Sequence, residues 1–401
     1  MGIVPGVDTP VCVMSSLRDY RLSASKKEEK NLRNLCNLGE IKIICEKKVM
    51  KENEFYKIVN ADGKCWWMPV RGMRVGLALY QPSGWKGRLL KCLLPNLHWS
   101  RLVRAVLKIE REARVMPEEV RRAVCEAFGV ERFDYSVFGG TPSVHQKTVI
   151  QVWNEERILG YVKMSENEEV GRSFEREVSF LNEMRNEELG IRNVPMVKVV
   201  RCGALFVLLQ TTRKTLKSVM VREWGVLQEK FLKKLYEATA QEMAWEESDV
   251  ARALCDLREH IDWLPNGVDG ELVAKRIDAV VERMSGKRVR YGAYHGDFTP
   301  WNMFVEGGEL FVFDWEYAEL SYPEGLDRYH FWMQTAIHEK HWGAKELRRY
   351  MCSADGEWID REMLEMYVLD VMSRYVMREG EKVKSLGAFE VWAGMMDIIV
   401  P

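Results

Sequence analysis

The stretch Tyr291-Gly292-Ala293-Tyr294-His295-Gly296-Asp297-Phe298-Thr299-Pro300-Trp301-Asn302-Met303-Phe304-Val305-Glu306-Gly307-Gly308-Glu309-Leu310-Phe311-Val312-Phe313-Asp314-Trp315-Glu316-Tyr317 decides how the rest of the chain is read. It alternates between polar loops and short apolar runs. Asn302 to Val305 can pair with Leu310 to Phe313 across Glu306-Gly307-Gly308-Glu309, whose glycines accept the positive φ of a tight hairpin turn. A hairpin sets the ends of its strands side by side, so Asn302 and Asp314 are expected to meet although two strands separate them. Both offer oxygen donors of the kind a small hard cation takes, and Asp297 offers a carboxylate that can accept a proton from a hydroxyl.

His295, Asp297 and Asn302 follow the H-x-D-x-x-x-x-N spacing of a loop that moves phosphoryl groups, and Asp314 follows at the end of the second strand. Taken together, His295-Gly296-Asp297, Asn302 and Asp314-Trp315-Glu316 resemble the signature of the aminoglycoside phosphotransferase and choline kinase family, a small-molecule branch of the kinase-like fold. Gly296 and Trp315 stand where protein kinases usually carry Arg and Phe, and no Ala-Pro-Glu segment follows. The resemblance covers about residues 131–335. It implies an α+β, bilobal kinase-like fold: an N-lobe with an antiparallel sheet over 131–212 and a mainly helical C-lobe over 213–401; the extra α/β extension over 1–130 is read from its own residue pattern, outside the resemblance. The resemblance further implies that Asp297 is the catalytic base and that Asn302 and Asp314 hold Mg²⁺. His295 then shapes the loop, and Asp327 braces it.

Upstream, Phe133 to Phe138, Gln146 to Trp153, Ile158 to Met164, Val194 to Val200 and Ala204 to Leu209 read as strands. Between the first two lies Gly139-Gly140-Thr141-Pro142-Ser143. By the resemblance this turn covers nucleotide phosphates, with Gly139 and Gly140 letting the backbone approach and Ser143 offering a hydroxyl. A helix is expected from Arg172 to about Arg185. On its wheel Glu177 falls within the apolar arc of Phe174, Val178, Phe180, Leu181 and Met184. A carboxylate facing the core needs a cation, and Lys163 in the preceding strand is the expected partner. In the resembling family such a pair aims the ammonium at the α- and β-phosphates. Gln210-Thr211-Thr212 is expected to link the lobes; by the resemblance the backbone of this linker, at Gln210, meets the nucleotide base, so the implied cofactors are ATP or GTP with Mg²⁺. Helices follow at Glu223 to Glu242, Ser248 to Ile261 and Gly270 to Met284. His338 and His341 lack the H-E-x-x-H spacing and are not read as metal ligands.

With 401 residues, 47% apolar content and no biased tract, the chain is expected to be a soluble globular protein. A formal net charge of -1 gives no reason to expect a nucleic-acid partner. Nine cysteines without a C-x-x-C pair, and a start without signal-peptide pattern, point to reduced thiols in a cytoplasm. In the extension, Lys26-Lys27-Glu28-Glu29-Lys30 reads as solvated. Ile41 to Cys45, Phe55 to Val59, Cys65 to Val70 and Val75 to Tyr80 read as a small antiparallel sheet, and Pro117-Glu118-Glu119 opens a helix that runs to Phe128.

Residues 85–108 form a basic, aromatic, amphipathic stretch, in which 86–111 hold seven Lys or Arg against the single acid Glu110. Two readings stand: peripheral contact with an anionic membrane or phosphate-bearing substrate, and two ordinary helices with solvated faces. The region from Tyr80-Gln81-Pro82 to Leu94 is similar to phosphotransferases linked with bacterial surface-polysaccharide assembly. The expected activity is therefore transfer of the γ-phosphate to a sugar hydroxyl of a surface glycan or lipid-linked saccharide, in the cytoplasm or at the inner face of its membrane. The rivals are a kinase of a soluble aminoglycoside, amino alcohol or free sugar, and a non-catalytic kinase-like scaffold.

Overall fold

The computed structural model describes residues 53–401 apart from 61–62, 83–84, 142, 144, 186–193, 381–385 and 400–401. The strand read at Ile41 to Cys45 and the charged run at Lys26 to Lys30 lie outside the described residues.

An eight-stranded sheet makes the first lobe. Its strands are β1 (Asn53–Val59), β2 (Cys65–Pro69), β3 (Glu110–Arg114), β4 (Asp134–Phe138), β5 (Thr148–Asn154), β6 (Arg157–Ser165), β7 (Val197–Cys202) and β8 (Leu205–Thr211). They lie in the order β3-β1-β2-β4-β5-β6-β8-β7, and the pairings from β1 through to β7 are antiparallel. The first helices are α1 (Met73–Gly76), α2 (Trp85–Leu97), α3 (Arg101–Val106) and α4 (Glu118–Phe128). Alternation along the strands sends Val137, Ile150, Val152, Val162, Val207 and Leu209 to one face, where Val120 and Val124 of α4 cover them. Helix α4 carries Glu118 and Glu119 at its positive end and stops at Gly129.

The opposite face differs between its outer and inner halves. Over the outer half, Met73, Leu77, Tyr80, Leu90 and Leu94 pack on Trp66, Met68 and Phe138. Helix α1 and the 3₁₀ turn Leu77–Leu79 point C-terminal carbonyls at the sheet, and polar side chains donate to them. Ser136 Oγ donates to the Gly76 carbonyl at 3.1 Å, Gln151 Nε2 to Val75 at 2.9 Å, and Lys214 Nζ to Ala78 at 3.3 Å. Tyr161 completes the set by donating its hydroxyl to Gln151 Oε1 at 3.3 Å.

Two expectations for the extension are corrected here. Val75 to Tyr80 is helical, not a strand, because the carbonyls of a single helical turn find their partners on the sheet. The extension strands also do not make a sheet of their own, since β2 pairs with β4 through Trp66↔Phe138 and Trp67↔Val137. They are the outer half of the N-lobe sheet.

Helix α5 (Glu168–Met184) joins β6 to β7, capped by the Asn167 side chain. The second lobe holds α6 (Val226–Thr239), α7 (Asp249–Glu259), α8 (Gly270–Met284), α9 (Leu326–His338), α10 (Ala344–Met351), α11 (Arg361–Glu379) and α12 (Leu386–Ile399). Its main core gathers Leu254, Ile277, Tyr291, Tyr367, Leu369 and Phe389. Two small sheets cross it. The strands β9 (Val219–Met220), β10 (Gln241–Ala244), β11 (Arg288–Tyr294), β12 (Met303–Glu306), β13 (Glu309–Val312) and β14 (Glu319–Tyr322) lie in the orders β10-β11-β14 and β13-β12-β9. The helix read through to Glu242 ends at Thr239, because Gln241–Ala244 pairs with β11 and that pairing overrides local helix propensity. The architecture is α+β and bilobal, the kinase-like fold expected from the sequence. Among the described residues no helix is long and apolar enough to cross a membrane.

Candidate active site

The glycine turn Gly307-Gly308, at φ 59 and 82, joins β12 to β13 in the register Met303↔Val312 to Glu306↔Glu309. One step further the Phe313 N–H donates to the Asn302 carbonyl at 3.0 Å. The hairpin therefore sets Asn302 beside the residue that precedes Asp314. Asp314 itself takes φ 70, a left-handed conformation unusual for a side-chain-bearing residue and a sign of stored strain at this corner.

The loop before the hairpin is held from beneath by α9. Asp327 accepts the backbone N–H groups of His295 and Gly296 at 2.9 and 3.1 Å. Gly296 has φ 77, and a Cβ there would run into the Tyr317 carbonyl, so the arginine of protein kinases has no room. Arg374 on α11 donates to the Gly296 carbonyl and pairs with Asp370 at 3.1 Å. The Asp297 N–H donates to His295 Nδ1 at 3.1 Å, which leaves Nε2–H to donate to the Phe313 carbonyl at 3.2 Å. Burial holds His295 neutral, down to about 4.

Asp297 is aimed by three contacts. Asn302 Nδ2 donates to its Oδ2 at 2.7 Å and to its backbone carbonyl at 3.0 Å. His330 Nε2 donates to Oδ1 at 3.1 Å, while Tyr367 O–H donates to His330 Nδ1 at 3.3 Å. Burial, followed by the Arg374 charge, keeps His330 well below its ordinary value, so it stays neutral and serves Asp297 as a donor. Burial and then the Asp314 charge push the Asp297 carboxyl up to about 6. A base with that affinity takes a proton more readily than an exposed aspartate.

Opposite lies a chain of ion pairs. Lys163 Nζ donates to both Glu177 oxygens at 3.1 and 2.9 Å and to Asp314 Oδ1 at 2.7 Å. Lys147 Nζ reaches Glu316 at 2.8 Å and Asp314 at 3.5 Å. Burial works against the charge on Asp314, but Lys147 and Lys163 outweigh it and hold the carboxyl below its usual range. Lys163 and Asp314 line a cleft of about 800 Å³ that also takes in Lys147, Val149, Tyr161, Gln210 to Lys214, Phe304, Phe311 and Phe313. At the Gln210 end, burial and the nearby Lys91 charge push Lys214 down to about 7.

Residues 155–324 match the model of the phosphotransferase enzyme family. The resemblance carried by His295-Gly296-Asp297 and Asp314-Trp315-Glu316 is borne out over that segment. No curated protein matches the chain. Among solved structures, the chain is similar to the aminoglycoside phosphotransferase APH(4)-Ia in ternary complex with ADP and hygromycin B, at 15% identity over 70% of this chain and 98% of that one, with a TM-score of 0.46. It is also similar to the choline kinase LicA from Streptococcus pneumoniae, at 13% identity over 69% of this chain and 96% of that one, with a TM-score of 0.42.

Within the matched segment and around it, Lys163, Glu177, Asp314 and Gln210 converge on the cleft and its wall, and Asp297 and Asn302 touch one another. Gly139, Gly140 and Ser143 do not line the cleft. Gly139 and Gly140 border a separate cavity of about 200 Å³ with Trp67 and Arg114, and Ser143 is exposed. What the loop delivers to the cleft is Lys147, which sequence reasoning passed over, as it passed over His330. The i, i+3 spacing of Asp327 and His330 on one helix face was the available signal for His330. Lys147 had none, because its partners are 167 and 169 positions away.

Both amide donors of Asn302 go to Asp297, so its Oδ1 is left as an oxygen donor beside the Asp314 carboxylate, whose Oδ1 holds Lys163 and Lys147; the two side chains are oxygen donors of the kind Mg²⁺ takes. Apolar walls at one end and two ammonium groups at the other fit a nucleotide base and its phosphates.

Proposed function

We propose that the protein transfers the γ-phosphate of ATP to an alcohol. The observation that carries this reading is that the Lys163–Glu177–Asp314 chain meets a cleft at Asp314, while the Asp297–Asn302 pair is tied to the neighbouring Phe313 through the Asn302 carbonyl. Asp297, aimed by Asn302 and His330, accepts the proton of the acceptor hydroxyl as its oxygen bonds to the γ-phosphorus and the bond to the β-phosphate bridge breaks, releasing ADP. Lys163, held by Glu177, and Lys147 orient the phosphates. Gln210 stands at the base end of the cleft, whose donors suit adenine or guanine. Mg²⁺, when held by Asn302 and Asp314, neutralises charge on the phosphate oxygens.

For the acceptor we propose a sugar hydroxyl on a surface glycan or lipid-linked saccharide, presented at the inner face of a membrane. The basic, aromatic helices at 85–108 support that choice over a freely soluble acceptor. The test is label transfer from γ-labelled ATP with Mg²⁺ into separate lipid-glycan and soluble-metabolite extracts. Label is expected in the lipid-glycan fraction. Asp297→Asn is expected to lower turnover by about 10²–10⁴ while nucleotide still binds. Label in the soluble fraction alone would reassign the acceptor, and transfer undiminished in Asp297→Asn would remove the base.

A further inference from the structure

Among the described residues, large apolar side chains that face solvent concentrate on one feature, the helix pair α2–α3. Trp85 is 64% exposed, Leu89 50%, Leu93 45%, Trp99 71%, Leu102 75% and Val106 72%. Trp85, Leu89 and Leu93 recur at helical spacing and make a stripe along α2, while Leu90 and Leu94 on its other side pack into the core. On α3, Leu102 and Val106 make a second short stripe. Leu107 follows them at 42%, and the other exposed large apolar side chains are spread along the chain from Val59 to Met377. A contiguous apolar patch calls for a partner, whereas scattered ones do not.

Charge says which partner. Residues 85–109 contain no Asp or Glu; they hold Lys86, Arg88, Arg101 and Lys108, and also Lys91 and Arg104, which are turned onto the carbonyls of Tyr80 and of His98 and Trp99. A second copy of this face would bring cations against cations. Residues 1–52 of this chain also carry more Lys and Arg than Asp and Glu, so they are not its complement. Tryptophan and leucine flanked by basic side chains suit the boundary of an anionic bilayer, where the rings sit among headgroups and the cations meet lipid phosphates.

We infer that α2 and α3 lie in the surface of an anionic membrane, holding the protein there without spanning it. This rests on the acceptor reading above for its purpose and on the surface for its evidence. The placement is functional because α2 begins just past Gln81, and Leu79 and Gln81 line the cleft. The wall of the cleft and the membrane face are one short run of chain, so docking brings the cleft to lipid-borne hydroxyls.

The experiment is co-sedimentation of the full chain with vesicles of phosphatidylcholine alone or containing phosphatidylglycerol, at low and high salt. The protein is expected to pellet with the phosphatidylglycerol vesicles and to be released as salt rises. Leu102→Glu with Val106→Glu, both at exposed positions, is expected to weaken partitioning about tenfold or more. Nucleotide binding by the same preparations, measured calorimetrically, reports that the variant is folded and tests the phosphotransferase reading separately. Failure of the full chain to pellet with anionic vesicles overturns the inference, as does equal pelleting of the double variant. A lipid-free dimer that the double variant disperses would assign the face to a second copy and overturn it too.

Discussion

One face of one sheet is used in two ways. On its outer side, beneath α1, Ser136 of β4 and Gln151 of β5 donate to backbone carbonyls of α1 and its end, and Tyr161 of β6, at the edge of the cleft, donates to Gln151. Over its inner half Lys147 and Lys163 are held by carboxylates of Asp314, Glu316 and Glu177, and these contacts open onto a cleft. Ser136 and Gln151 are fully buried and have no water to turn to, so the outer contacts are worth what it costs to leave their donors unpaired. An ammonium beside a carboxylate can exchange it for a phosphate at small net cost, since both are anions. Saturated polar groups on this face therefore build the lobe, and exchangeable ones do its chemistry.

Gln151→Leu is the strongest way to break that contrast. It removes one donor from the Val75 carbonyl, takes the acceptor from the Tyr161 hydroxyl, and is expected to cost about 1–3 kcal/mol, read as a fall in the urea midpoint at constant slope. Nucleotide affinity of the folded fraction should stay as it was; a loss of affinity without a loss of stability would mean that the outer half belongs to the site. Lys147→Met acts on the inner half and should do the reverse. It is expected to weaken metal-free nucleotide binding about tenfold, the worth of one charge-assisted hydrogen bond, with little change in the unfolding midpoint. It also removes one of the two ammonium groups on Asp314, leaving Lys163 in place, so Mg²⁺ binding without nucleotide should tighten, and equal metal affinity in both proteins would end the exchange argument.

The smallest effect concerns proton affinity. Burial and then the Asp314 charge raise the Asp297 carboxyl to about 6. A raised acid is protonated, and useless as a base, below that value. The pH profile of kcat/KM is therefore expected to climb to a plateau above about 6, and a limb near the ordinary aspartate value would show that the pocket does not shift it.

What could be read from sequence was local. The hairpin register followed from a two-glycine turn between apolar runs, and the Lys163–Glu177 pair from a carboxylate on the wrong side of a helical wheel. The chemistry at His295, Asp297, Asn302 and Asp314 is carried by spacing within one stretch. What escaped was long-range. Val75 to Tyr80 has the apolar content of a strand, and its helical turn is stabilised by Ser136 and Gln151, which lie 60 and 76 positions along the chain from the carbonyls they receive. The union of β2 with β4 and the reach of Lys147 to Glu316 leave no periodic trace either.

The turn at Gly307-Gly308 has one more consequence. With two residues in the bend and paired strands a fixed width apart, the hairpin acts as a pair of tongs whose jaws are Asn302 and Asp314. Substitutions along its arms alter grip and polish but not the gap. Only lengthening or shortening the bend would slide one jaw past the other, and a slip of a single residue would turn every side chain on that arm to the opposite face. The tolerance of the cation site is thus set at its far end, by two residues that carry no side chain.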